Sequence, residues 1–311
     1  MGGQEYPAYP GREPRPDPQA SAAYGEPVEE LGKLRTALPW SSRGPHIAWE
    51  TLEFMALYAS RRRLGRLEAR SNRAAVDTLV AADLMKADGA WNDAGLLVTD
   101  ALRNTRASIE VDGGHGPTRT RMDIKVGNRT ALAMAGPGVD DVLEGIGMST
   151  THRQLDIVGV EGVPALIAQW VGLGPAWSVG QAVEMDGSEF SQLLHRGGPG
   201  AGGPGAPSGF ERFWDVPWFE WSIRVVAPQS ADSMESGDGE SGAENRSAAP
   251  RAGVEWRFVN AGKAGHFHYD YADRAVRLTP APSFSVWMEL LRAVDEVLTG
   301  QPAPADEEQG R

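Results

Sequence analysis

The residues most suited to bind a metal ion or to take part in chemistry are two histidines and an aspartate near the carboxyl end of the chain. His266, His268 and Asp270 alternate within a run, Gly265–Tyr271, that has the pattern of a β-strand. Strand side chains two residues apart point to the same face, so these three residues could contact one metal ion. A polar strand face in contact with water explains the same pattern with fewer requirements. We therefore predict no metal site here.

Other motifs give no cofactor site and no catalytic residues. Gly198, Gly200 and Gly203 have the spacing of a dinucleotide-binding loop, but prolines interrupt them within a low-complexity tract. That loop functions only between a strand and the start of a helix. The sequence has no Gly-x-Ser-x-Gly elbow, phosphate-binding loop or His-Glu-x-x-His helix, and no cysteine. These features predict a protein that is not an enzyme.

Aromatic residues crowd one short stretch that follows a Gly/Pro tract. They are Phe210, Phe213, Trp214, Trp218, Phe219 and Trp221. Trp and Phe are frequent anchors in interfaces, although packing beneath a sheet explains the cluster equally simply and is favoured here. Trp214 and Trp218 are the candidates for partner contact. With His266 and His268, the cluster leaves open a small-molecule-binding or enzymatic α+β protein as an alternative.

The formal charge of −12 is concentrated outside the segments with hydrophobic patterning. Residues 1–32, 229–250 and 301–311 together account for −10 of it. The remainder is close to neutral, so the composition predicts no basic surface for nucleic acid. The Arg61–Arg63 run is interpreted as a solvated helix face.

Composition also divides the chain into folded and unfolded segments. We predict disordered tails at 1–44 and 301–311, two α+β halves at 45–195 and 210–300, a Gly/Pro linker at 196–209 and a disordered acidic insert at 229–251. No stretch resembles a signal-peptide core or a membrane span. A cytoplasmic protein without membrane insertion is expected.

Helical spacing dominates the start of the folded region, and strand alternation follows it. Apolar residues predict helices over 47–70 and 74–85, with a third that Asp93 can cap. Alternation predicts strands at 108–112, 121–126, 130–135 and 155–158, and a helix over 163–173.

The second half repeats this order in outline. Strands are expected at 181–185, 221–227, 254–259, 265–271 and 275–278, with helices at 188–194 and from Pro282 onward. The predicted fold is α+β, a pseudo-duplicated antiparallel sheet with helices covering one face.

A winged-helix regulator is a further alternative. Residues 74–126 give two helices followed by a hairpin, as in that DNA-binding fold. The second helix, however, offers only Arg103 and Arg106 as cations, against Asp93 and Asp100. Attraction to phosphate would be weak.

Two parts of the chain have the pattern of a known family. Residues 265–291 give a closing hairpin, a Thr-Pro-Ala step and a last helix, and the start of the folded region gives Trp49–Phe54 and a helix that ends before Asp88-Gly89 and Trp91. In these residues and in element order the chain resembles the EspG family of type VII (ESX) secretion proteins of actinobacteria. The Gly/Pro tract and the acidic insert depart from that family's pattern.

The resemblance implies a cytosolic chaperone that binds a helical secreted client of the PE/PPE-like or WXG100-like kind. A chaperone of this type needs a recognition surface, and loops on rigid scaffolds commonly provide one. We predict partner contacts from the hairpin loop formed by Gly113, Gly114, His115, Gly116 and Pro117, together with Trp214 and Trp218.

Overall fold

The computed structural model describes residues 40, 42, 44–149, 151–174, 182–198, 216–226 and 255–299. The predicted insert, the C-terminal tail, and nearly all of the N-terminal tail and of the linker lie outside these ranges. So do Phe210, Phe213 and Trp214.

Ten strands form one antiparallel sheet. They are β1 (His46–Ala48), β2 (Ala107–His115), β3 (Thr118–Val126), β4 (Thr130–Ala135), β5 (His152–Gly159), β6 (Val183–Asp186), β7 (Phe219–Val226), β8 (Glu255–Asn260), β9 (His266–Ala272) and β10 (Ala275–Ala281). The spatial order is β1-β5-β4-β3-β2-β7-β8-β9-β10-β6. Helices accompany the sheet, so the predicted α+β class is confirmed.

Eight α-helices are described. They are α1 (Trp49–Tyr58), α2 (Arg66–Ser71), α3 (Arg73–Ala81), α4 (Asp93–Arg103), α5 (Val139–Leu143), α6 (Val163–Trp170), α7 (Gly187–Arg196) and α8 (Ser283–Thr299). The cap of α4 is Asn92, whose side chain accepts from the Gly95 N–H, rather than the predicted Asp93. Asp186 caps α7 by accepting from the N–H groups of Ser188 and Glu189.

The predicted helix over 47–70 is divided in the structure. Ile47 lies in the edge strand β1 and is fully buried, because β1 pairs with β5. Helix α1 ends at Tyr58, and α2 begins only after Gly65, whose N–H is bonded by the Glu68 carboxylate. Pairing with a distant strand and the glycine break override the continuous apolar stripe.

The chain order of the elements repeats once. Each copy has an edge strand, a helical segment, a four-strand meander whose last strand pairs with the edge strand, and a covering helix. The first copy is β1–β5 with α6 and the second is β6–β10 with α8. Strands β2 and β7 pair antiparallel and join the copies into one sheet. Residues 183–195, which the sequence division placed in the first half, pair and pack within the second copy.

Helices lie on both faces of the sheet, whereas the sequence predicted that they cover one. On the first face, α5, α6 and α8 pack on a core that includes Ile109, Ile124 and Trp221. On the second face, α1–α4 pack on Leu132 and Met134 of β4. Helix α7 packs on the same second face at the opposite end, over β9 and β10. Alternation along β4 places Ala133 and Leu132 on opposite faces, which separates the two cores.

A buried polar seam joins the two copies on the first face. The Asn260 side-chain amide donates to the carbonyl oxygens of Val171 at 2.7 Å and Gly172 at 3.2 Å, just beyond α6. The Ser283 hydroxyl, at the start of α8, donates to the Gly174 carbonyl at 2.7 Å. These bonds fix the end of the first copy against the second.

Candidate functional site

The central strands leave one broad surface without a helix over it among the described residues. On the second face, α1–α4 cover β4 and β5, and α7 covers β9, β10 and the end of β8 at Val259, which leaves β3, β2, β7 and the start of β8 between them. We call this surface the sheet trough. Its floor consists of alternate residues of the four strands: Ser108, Glu110, Asp112, Gly114, Arg119, Arg121, Asp123, Lys125, Glu220, Ser222, Arg224, Glu255 and Arg257.

The floor of the trough is charged but balanced, with five basic and five acidic side chains. Arg121 lies between three carboxylates, at 2.8 Å from Asp123, 3.2 Å from Glu110 and 3.5 Å from Asp112. Glu110 also pairs with Arg224 on β7. The pairs therefore cross from β3 through β2 to β7. Each such surface pair contributes about 0–1 kcal/mol, so their main effect is to order the side chains.

A glycine allows one of these pairs to span three strands. Arg119 on β3 reaches over β2 to Glu220 on β7, with 3.2 Å between Nη2 and Oε1. The β2 residue between them is Gly114, and a Cβ there would lie 2.2 Å from Nη1 of Arg119. The absence of a side chain at Gly114 makes room for the arginine.

Two carboxylates in the trough, those of Asp112 and Glu220, are harder to ionise than usual. Partial burial raises the pKa of Asp112, and Asp123 and Glu110 add to the shift while Arg121 opposes it. Burial likewise raises the pKa of Glu220 against the opposing charge of Arg119. A partner that brought cationic groups to these carboxylates would favour their ionised forms.

The spacing of the walls sets what the trough can hold. Strands β4 and β9, which carry helices, are five inter-strand steps apart, or about 24 Å at the usual strand spacing. The helix on each wall extends half its width into this distance. The two together shorten it by about 11 Å, since an α-helix with its side chains is about 10–12 Å across. The remaining width matches one α-helix lying on the floor.

The predicted recognition loop is shorter than expected. Strands β2 and β3 extend to His115 and Thr118, so only Gly116 and Pro117 form the turn. Gly113 is buried on the first face, where a Cβ would lie 2.6 Å from Cζ of Phe219. Gly114 lies in the trough. Of this set, Pro117 is the exposed residue.

The imidazole of His115 holds the turn against the end of α7. Its Nδ1 lies 3.0 Å from the Trp218 carbonyl oxygen. Gly197, just beyond α7, has a φ of 81°, and a Cβ there would lie 2.3 Å from Cε1 of His115. The turn, α7 and the start of β7 therefore form one packed unit at the end of the trough.

We expect Gly197→Ala to lower the free energy of unfolding by about 2 kcal/mol, because the left-handed backbone disfavours a Cβ and the imidazole crowds it. Urea denaturation measures the loss. Adding His115→Ala should recover only the crowding component, which a double-mutant cycle isolates. A Gly197→Ala protein as stable as the parent would contradict this account of the turn.

Trp218 packs in the core rather than presenting an exposed anchor. Its side chain is 1% exposed and lies against Phe190 of α7, with 6.1 Å between ring centroids. Phe219 and Trp221 are buried on the first face. The packing interpretation of the aromatic cluster therefore holds for its described members.

The histidine strand is divided between core and surface. His266 is buried, whereas the His268 Nδ1 lies 3.0 Å from the Asp270 carboxylate near the surface. Burial raises the pKa of the Glu289 carboxyl on α8, and the charges of His268 and Arg292 oppose that shift. Within the described ranges, no group of three or more His, Asp or Glu side chains is arranged to hold a metal ion.

A separate apolar cleft of about 260 Å³ lies beside the first copy. It is lined by Gly44, Pro45, Leu84, Ala94, Val98, Leu155, Asp156 and Ile157. Ligand pockets are usually about 300–1,000 Å³. The cleft is of a size to take one apolar side chain or a small ligand.

The trough itself was missed by the sequence reasoning. Alternation in β2 and β3 predicted the strands but not what their polar face would contact. The order of the strands in the sheet decides which of them lie beneath helices. In the sequence, the repeat of element order was the one signal that bears on that strand order.

Comparison with known proteins adds no assignment. A scan against models of protein families finds no match for this chain, and a search of curated proteins finds no significant relative. Among the described residues, no helix has the length and apolar character needed to span a membrane.

Proposed function

We propose that this protein is a non-enzymatic chaperone or adaptor of the EspG kind. In this role it binds a helical secreted client, PE/PPE-like or WXG100-like, in the cytosol and delivers it to a type VII secretion machinery. The observation that carries the proposal is the sheet trough, a rigid floor one helix wide between two helical walls.

The rigidity of the floor supports a binding role. Strands β3, β2, β7 and β8 are each hydrogen-bonded on both sides, so the trough does not rearrange as a loop would. Its charged side chains are already held by one another. A preorganised surface loses little conformational entropy when a partner binds, which favours affinity.

The charge pattern favours a polar helical client. Five cations and five anions are mixed across the floor, so a complementary helix would carry both signs along one face. Such a pattern contributes specificity and association rate more than affinity. Apolar contacts would come from the walls, where Leu96 and Leu97 of α4 and Tyr271 near α7 are exposed.

The test is co-expression of the full chain with each small helical secreted protein encoded in the same genome, followed by size-exclusion chromatography. We expect one client, or one client pair, to co-elute in a stable stoichiometric complex. If every candidate elutes separately, the chaperone proposal fails.

A charge-swap variant assigns the complex to the trough. In Arg119→Glu/Glu220→Arg the ion pair is retained but its polarity is reversed. We expect the melting temperature to stay within a few degrees of the parent and client affinity to fall by at least tenfold, since misplaced like charges cost several kcal/mol. The matched control is Arg73→Asp/Asp77→Arg on α3, which swaps an exposed pair away from the trough. Equal affinity of both variants would place the client elsewhere.

A further inference from the structure

The most basic surface of the described chain lies on the N-terminal helices, away from the trough floor. Residues 57–73 run from the end of α1 to the start of α3, and we call them the arginine corner. They contain six arginines, Arg61, Arg62, Arg63, Arg66, Arg70 and Arg73, and one acid, Glu68. In a chain with a formal charge of −12, this is a strong local reversal of sign.

Half of these arginines lack a carboxylate partner in the described structure. Arg61 pairs with Glu68, Arg63 with Asp88 and Arg73 with Asp77. No ion pair within the described residues involves Arg62, Arg66 or Arg70, and all three are exposed. Their charges are available to an anionic partner.

The corner also presents the most exposed large apolar side chains of the described fold. Leu57 is 74% exposed and Leu67 is 79% exposed. Helix α2, which carries Leu67, has no buried residue at all. The corner therefore carries two highly exposed leucines in the same segment as its six arginines.

Helix α2 has only limited stabilisation: the Glu68 carboxylate accepts from the Gly65 N–H at its start, and Ala69 packs partly buried against the core. Arg66 and Arg70 are four residues apart on the same side of the helix, where like charges repel. No buried side chain compensates for this repulsion. Local features that lower stability and do not contribute to packing are expected at functional sites.

We propose that the arginine corner docks on an anionic lipid bilayer, with the arginines against the headgroups and Leu57 and Leu67 in the headgroup layer. Basic residues near such a surface each strengthen binding roughly fivefold, and apolar tips add to the attraction. Exposed leucines can enter a fluid bilayer surface without a matching partner surface. A stable protein interface, in contrast, buries about 800 Å² of surface on each partner. This site is independent of the trough and of the client proposed for it.

The experiment is cosedimentation of the full chain with vesicles of 70% phosphatidylcholine and 30% phosphatidylglycerol, and with vesicles of phosphatidylcholine alone. We expect binding to the anionic vesicles only, weakening between 50 and about 200 mM salt because the attraction is screened. Arg62→Ser/Arg66→Ser/Arg70→Ser should weaken it by about 100-fold. Leu57→Ser/Leu67→Ser should weaken it by about tenfold.

The matched control removes three exposed arginines from the second copy of the repeat. Arg274→Ser/Arg277→Ser/Arg292→Ser should bind anionic vesicles as the parent does. Equal loss in the two arginine triples, or equal binding to both kinds of vesicle, would overturn the proposal. Binding to poly-glutamate but not to vesicles would overturn it in favour of an acidic protein partner. If the leucine variant binds anionic vesicles as the parent does, Leu57 and Leu67 do not contact the bilayer.

Discussion

Replacing Trp221 with alanine lowers the free energy of unfolding by about 3–5 kcal/mol, the largest loss that we expect from a single substitution. Trp221 is 1% exposed and stacks on Phe258, with 4.3 Å between ring centroids. It lies opposite Gly113 of β2, at the junction of the two copies. Removal of the indole would leave a cavity that the strands on either side cannot close.

Equilibrium unfolding in urea measures this loss, and Trp221→Phe is its control. Among the described residues, no group accepts a hydrogen bond from the buried indole N–H of Trp221. Phenylalanine keeps most of the packing and removes that unpaired donor, so its cost should be about 1–2 kcal/mol. Similar losses in the alanine and phenylalanine variants would mean that the ring does not hold the junction together.

Acidification removes about 3 kcal/mol of stability through one histidine, the second largest effect that we expect. Burial lowers the pKa of His266 to about 4 from an ordinary value near 6.5, and the nearby Gly174 carbonyl opposes the shift only in part. That carbonyl is outside hydrogen-bond geometry with either ring nitrogen. The ring is therefore held neutral in the folded protein.

The sign of the effect follows from linkage. The unfolded chain binds a proton at His266 below about pH 6.5, whereas the folded protein does so only near pH 4. The stability is complete above pH 6.5 and is lost progressively as the pH falls from 6.5 to 4. Lowering the pKa of His266 by about 2.5 corresponds to about 3 kcal/mol in the free energy of unfolding.

The variant His266→Leu isolates this contribution. Leucine fills a similar volume and does not titrate, so the variant should match or exceed the parent at pH 7.5 and be about 3 kcal/mol more stable relative to it at pH 4. His46→Gln controls for the replacement of an exposed histidine. Parallel pH profiles for the parent and His266→Leu would contradict the assignment.

The sequence was most informative where one face of an element is uniformly buried. Alternation predicted the strands at 108–112 and 121–126, and the structure has them inside β2 and β3. The helix predicted over 163–173 is present as α6, with Pro164 in its first turn. These elements obey local periodicity because a single core covers one side of each.

Prediction failed where distant parts of the chain decide the outcome. Gly113 and Gly114 have the composition of a loop, yet pairing with β7 as well as β3 keeps them in a strand. The trough depends on which strands end up between the helical walls, and no local pattern contains that information.

The ends of the ten-stranded sheet have a consequence for behaviour at high concentration. Its outermost strands, β1 and β6, are three and four residues long. An incoming chain would find only a few free backbone groups there, so growth of the sheet from one molecule to the next is unfavourable. Insertions that lengthen either outer strand would present more free backbone groups and so favour edge-to-edge association.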